Sequence, residues 1–105
     1  MSGGRRTWIP KKLGEISTIP FDFISDVQSG ETLSSAKVMA TVYSGVDAAP
    51  SAIISGSATI NGTIVTQNIR AGVVGVIYSL LCHAHTSLGQ VIEISTYCVI
   101  EPDLP

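Results

Sequence analysis

Apolar and polar residues alternate along much of this chain, and the alternation runs longest between Val73 and Glu101. That stretch is rich in β-branched and aromatic residues, which suit a pleated, half-buried surface. Thr86-Ser87-Leu88-Gly89 interrupts it. The pattern predicts two long antiparallel strands joined by a tight loop containing glycine. With the turn centred on those four residues, facing positions sum to about 175, as a four-residue loop requires. Cys82 then lies opposite Glu93, and Cys98 opposite Ile77. Tyr78, Leu80, Cys82, Ile92, Ile94, Cys98 and Ile100 are expected to face the core, with Val74 and Val76 continuing the first row.

Shorter alternating segments lie upstream. Residues 16–24 read as a first strand, with Phe21 and Phe23 on one face and Asp22 on the other. Pro20 lacks an N–H, which suits an edge strand or a strand start. Residues 26–31 form a turn, and residues 32–43 a second strand, with Val38, Ala40 and Val42 alternating against Met39, Thr41 and Tyr43. A loop over 44–51 follows, then a third strand over 52–60 interrupted at Gly56. Asn61-Gly62 is a strong hairpin signal, read as a type I′ turn leading into a strand over 63–69. Prolines in the last five residues stop the final strand. Six or seven strands with turn signals about every ten residues are the pattern of an all-β antiparallel sandwich.

Length and composition sharpen this picture. At 105 residues one domain is expected. Charged residues make up 13% of the chain, about half the usual share, which favours a subunit largely buried in an assembly. No run of apolar residues is long enough for a spanning helix. The N-terminal residues lack the apolar stretch of a signal peptide, so a protein made and used without secretion is expected. Arg5, Arg6, Lys11 and Lys12 place four of six basic residues in the first twelve positions, while all eight acids follow. Residues 1–15 therefore read as a basic N-terminal arm, and 16–105 as the sandwich. The arm is either a soluble tail or a segment that docks on an acidic neighbour, including another copy of this chain. Trp8-Ile9 within it is an aromatic anchor beside arginines, as interfaces favour, or folds back on its own domain. The candidate interface residues are thus Arg5, Arg6, Trp8, Ile9, Lys11 and Lys12. Four charges without interleaved aromatics are a weak nucleic-acid footprint.

Candidate chemistry is sparse. Cys82 and Cys98 sit too far out of register for a disulfide between adjacent strands, and two free buried thiols are expected. His83 and His85 point to one face, but zinc needs a third protein ligand and none follows a matching pattern. Asp22, Asp26 and Glu31 cluster near one turn without the spacing of a calcium loop and read as solvated acids. No nucleophile–base–acid set, phosphate loop or paired carboxylates occur. A non-enzymatic protein with no cofactor and no metal is expected.

The order of features is also familiar. Phe21-Asp22-Phe23 is followed by Gly30-Glu31-Thr32-Leu33-Ser34-Ser35. An Ala71-Gly72 segment running to Tyr78 comes next, then Thr86 to Gly89 before a final β-branched strand. This resembles a family of small phage virion proteins, the fiber–tail adaptors, over about residues 16–100. The resemblance implies an immunoglobulin-like sandwich, and a structural role in the phage tail as a ring of copies joining the tail to fibers. Its partners would be other tail proteins and copies of itself, with no nucleic acid and no membrane. A head decoration or cement protein, or a carbohydrate- or receptor-binding sandwich, are the alternatives. Six aromatics in the chain are few for a sugar site.

Overall fold

A computed structural model describes residues 8–103. It contains seven strands: β1 Trp8–Lys12, β2 Ser17–Asp22, β3 Leu33–Ser44, β4 Ile54–Asn61, β5 Ile64–Ile69, β6 Ile77–Thr86 and β7 Val91–Glu101, with a short 3₁₀ helix at Pro50–Ile53. They form a four-stranded sheet in the order β1-β7-β6-β3 and a three-stranded sheet in the order β2-β5-β4. The protein is an all-β sandwich. All pairings are antiparallel except β1 with β7, which is parallel.

The core lies between the sheets and follows the period of two. From β2 and its continuation come Ile19, Phe21 and Phe23; from β3, Val38 and Ala40; from β5, Val65 and Ile69; from β6, Tyr78, Leu80, Cys82 and Ala84. Each fully buried aromatic or branched side chain contributes roughly 1.5–3 kcal/mol of transfer free energy, so Phe21 and Phe23 alone fasten the edge strand. Pro20 sits on that edge, where its missing N–H breaks no ladder bond. Cys82 and Cys98 are free, buried thiols. Ile92 and Ile94 pack against the core while half-buried, and Val76 is buried. Val74, expected inward, is instead exposed, because the chain enters β6 only at Ile77.

Both hairpins depart from the expected turn. The β6–β7 connection has three residues, 87–89: Thr86 N–H donates to Gln90 O (2.9 Å) and Gly89 N–H to Thr86 O (3.0 Å). Gly89 has φ +80°, the left-handed residue that closes such a loop. An odd loop shifts the register by one. Cys82 faces Ile94, Cys98 faces Tyr78, and Glu93 faces His83. In the β4–β5 hairpin Asn61 pairs with Ile64, so Gly62 and Thr63 are the central residues. Gly62 has φ +65° while Thr63 does not take positive φ. That is the type II′ pattern, not the expected I′ centred on Asn61-Gly62. Near Gly56 (φ +73°) the β4–β5 register shifts between Ser55 and Thr59, which is the interruption the sequence signals.

The connections sort into two ends. Residues 13–16, 45–53, 70–76 and 101–103 lie at one, called the loop end. Residues 23–32, 62–63 and 87–90 lie at the other, the turn end. The molecule measures 48 × 24 × 23 Å. A twelve-residue strand spans about 40 Å, so the strands run along the long dimension and the ends are its tips.

Candidate functional site

The expected arm divides. Arg5 and Arg6 lie outside the described residues. Residues 8–12 are not a free arm but a strand of the larger sheet, in register from Trp8 opposite Tyr97 to Lys12 opposite Glu101. Ile9 turns inward and packs against the core. Lys12 is half-exposed, with its ammonium 3.2 Å from Glu101 Oε1. Lys11 differs most from the expectation of an outward docking residue. It is 1% exposed, and its ammonium donates to three backbone carbonyls: Lys12 O (2.8 Å), Leu13 O (3.1 Å) and Ala71 O (2.9 Å). An ammonium has three donors, and all three are used inside the fold. Alternation explains this: in a strand flanked by inward Ile9, position 11 must also point in.

Lys11 is one of two ties that hold the loop end. The second is Tyr78, fully buried, whose hydroxyl donates to Asp47 Oδ2 (2.6 Å) and accepts from Val73 N–H (3.0 Å). Asp47 also accepts from Ala49 N–H (2.9 Å). Tyr78 thereby joins the loop after β3 to the loop before β6, while Lys11 joins the loop after β1 to the same 70–76 segment. Gly14 N–H donates to Asp103 (2.9 Å), adding the C-terminal segment. Burial, then the Asp47 hydrogen bond, push the Tyr78 hydroxyl up to about 12. The Tyr78 hydrogen bond, then Ala49 N–H, hold Asp47 below the ordinary carboxylate value. Burial lifts the Cys82 thiol to about 12, and the Cys98 thiol to about 11 against the opposing pull of the Lys11 ammonium.

Backbone geometry at this end is specialised. Ala71 has φ +56°, the one non-glycine residue with positive φ among those described. Such a conformation persists only where its surroundings over-determine it, and the Lys11 contact to Ala71 O does so. Gly72 (φ +103°) is packed so tightly that a Cβ there would lie 2.8 Å from Ile100 Cγ1.

What this tied frame presents to solvent is aliphatic. Leu13, Ile16, Val46, Val73 and Val74 are all exposed, Val46 at 86%. The turn end shows a smaller set: Ile24, Ile64, Leu88 and Val91. Exposed apolar residues grouped on loops, and held in place by buried hydrogen bonds, are the makings of a preorganised protein-binding surface. They offer no reacting group.

The other candidates are placed as follows. His83 Nδ1 lies 2.7 Å from Glu93 Oε2 on the outer face of the larger sheet, and the His83 and His85 rings are 5.1 Å apart, edge to face. Among the described residues no group of three or more His, Cys, Asp or Glu is arranged to hold a metal. Asp22 accepts from Ile24 N–H and Thr63 Oγ1. Glu31, expected to be solvated, is buried, with Oε1 accepting from Gln28 N–H at 2.7 Å. Asp22 and Glu31 thus bond to different segments. Sequence reasoning names both organising residues, Lys11 as a docking residue and Tyr78 as a core residue, but misses the polar ties that each makes to the loops.

A family model described as "Podophage GP4 fiber-tail adaptor protein gp77" matches residues 11–99. No curated protein matches the chain.

Proposed function

The chain belongs to the podophage fiber–tail adaptor family, and from that premise we propose that it is a non-enzymatic structural protein of the virion tail that joins the tail to its fibers through the two tips of its sandwich. The observation that carries this reading is the family match across residues 11–99. It is supported by an elongated body with aliphatic loops at both tips. A bridging subunit needs two separated contact surfaces, and rigid, pre-tied loops lower the entropy of docking. The basic character of Arg5 and Arg6, upstream of β1 in the sequence, suits an acidic neighbour in a ring of copies.

We also infer an immunoglobulin-like sandwich. β2, β5 and β4 fall in one sheet, and β3, β6 and β7 in the other, which is the partition of that architecture. The Tyr78 hydroxyl held by Val73 N–H matches its tyrosine corner.

The test is genetic. Particles made without this protein should keep their tails and lose their fibers, as seen by electron microscopy and mass spectrometry of purified virions. Fibers at wild-type occupancy on such particles would end the adaptor reading. For the ring, native mass of the purified chain with and without residues 1–7, at low and high salt, should reveal an oligomer that weakens with salt and with the deletion.

A further inference from the structure

The two sheets leave four outer strands: β1 and β3 in one, β2 and β4 in the other. Three carry features that discourage pairing with another chain. β1 is five residues long and contains Pro10. β2 contains Pro20. β4 is broken by the register shift at Gly56. β3 differs. It is the longest strand, twelve residues, with neither proline nor glycine. Its irregularities fall at its ends, between Leu33 and Ser35 and between Val42 and Ser44, leaving Ser35–Val42 as an unbroken ladder with β6. A regular outer strand turns alternate N–H and C=O groups outward, unpaired. The first six residues of β7 also extend past β1, but the regular ladder of β3 is the longer outer edge.

A groove of about 320 Å³ runs beside the β3 edge, where the break in β4 parts the two sheets; Ala36, Val38, Ile54, Ala58, Lys37 and Gln67 line it. The Gln67 amide nitrogen lies within hydrogen-bond distance of Ser55 O, Gly56 O and Asn68 O, which occupy its two hydrogens. Ala36, Val38, Ile54 and Ala58 make much of the lining apolar, with room for an aliphatic side chain. Lys37 stands exposed at the rim and joins neither ion pair among the described residues. Its cross-strand neighbour His83 is engaged with Glu93.

We propose that β3 is an acceptor edge: an extended segment of a partner tail or fiber protein adds as a strand along Ser35–Val42, with an aliphatic side chain in the groove and a carboxylate on Lys37. Main-chain hydrogen bonds supply affinity in this mode, and pockets for alternate side chains supply specificity. Charge selects the occupant. β3 contains no acid, so a second copy of this edge offers Lys37 no carboxylate. The basic N-terminal segment carries the same sign. An acidic strand from another protein is the complement. This rests on the adaptor reading, and deepens it by naming what the partner presents.

The test is hydrogen exchange by mass spectrometry on the purified chain and on the same chain in purified virions. Amides of Ser35–Val42 that exchange fast in the free chain should slow at least about tenfold in the particle. Virions carrying Lys37→Glu should omit the variant or show free-chain exchange over β3, whereas Lys37→Arg should keep the protection. Unchanged β3 exchange, with the chain present in particles, overturns the strand addition alone. Full protection with Lys37→Glu overturns the acidic complement. Absence of the chain from virions removes the adaptor reading itself, and the strand addition with it.

Discussion

Among the described residues each end of this sandwich buries one charged side chain, and the two are treated differently. At the loop end Lys11 satisfies all three donors with carbonyls from two segments, one of them 60 residues away. At the turn end Glu31 uses one oxygen on Gln28, three residues away, and its Oε2 is buried with no partner among the described residues. Other side-chain ties at the loop end are long as well. Tyr78 and Asp47 lie 31 residues apart, and Gly14 and Asp103 89 apart. At the turn end Thr86 Oγ1 accepts from Leu88 and Gln90, two and four residues on. The turn end combines such local bonds with long ones, Thr32 N–H to Ser87 Oγ across 55 residues and Thr63 Oγ1 to Asp22 Oδ1 across 41, so the difference between the ends lies in how each treats its buried charge. Shape at a tip can be specified by long-range polar ties as firmly as by packing, provided every buried group is satisfied.

The widest contrast should come from the two buried charges. Lys11→Met keeps much of the volume but strands three carbonyls, and should cost about 3–4 kcal/mol in denaturant unfolding. Glu31→Met should change stability by less than about 1 kcal/mol, since it removes a half-satisfied carboxylate. Equal losses would dissolve the contrast. Next, Gly72→Ala should cost about 3 kcal/mol, from positive φ and the overlap with Ile100, and should lower fiber attachment beyond what its stability loss explains.

Tyr78→Phe should cost about 1.5 kcal/mol at neutral pH, and its effect on pH dependence is more telling. The folded Tyr78 value is raised from 10.0 to about 12. The stability this represents is complete below pH 10 and is lost as pH rises toward 12. Asp47 is shifted the other way: its contribution is present above the ordinary carboxylate value and is lost as pH falls through the lowered one. Tyr78→Phe should flatten the stability profile above pH 10 and weaken the acid limb. The part of the alkaline loss that begins near pH 9, from the raised Cys82 and Cys98 thiols, should remain. The smallest effect on folding is expected from Val46→Ser, within about 0.5 kcal/mol because the side chain is exposed. The same substitution should weaken assembly; if assembly is untouched, the apolar tip is not a contact.

Alternation alone makes the β6–β7 hairpin, the inward row from Tyr78 to Cys82 and the Phe21/Phe23 pair legible in the sequence. It does so because each depends on neighbours two residues away. β1 is not legible in the same way. Its pairing with β7 is parallel and remote, and Pro10-Lys11-Lys12 looks like a soluble tail until Lys11 has carbonyls to bind. The one-residue register error has a similarly local cause, since it turns on whether Thr86 counts within the loop, and its N–H bond to Gln90 O places it in the ladder. The aliphatic tip is hidden because its five side chains come from three separate loops.

The parallel pairing of β1 with β7 has a consequence in time. It joins the first of the described strands to be synthesised to the last, with Lys12 and Glu101 separated by 89 positions. On the ribosome, β1 emerges without its neighbour and waits for nearly the whole chain. The Ala71 carbonyl that Lys11 needs is made well before β7, but β1 cannot settle beside it until β7 arrives. A chain cut short anywhere before residue 97 would thus leave β1 unpaired and the loop end untied. The tip is completed only once β7 has been made, so its apolar surface takes shape late in synthesis.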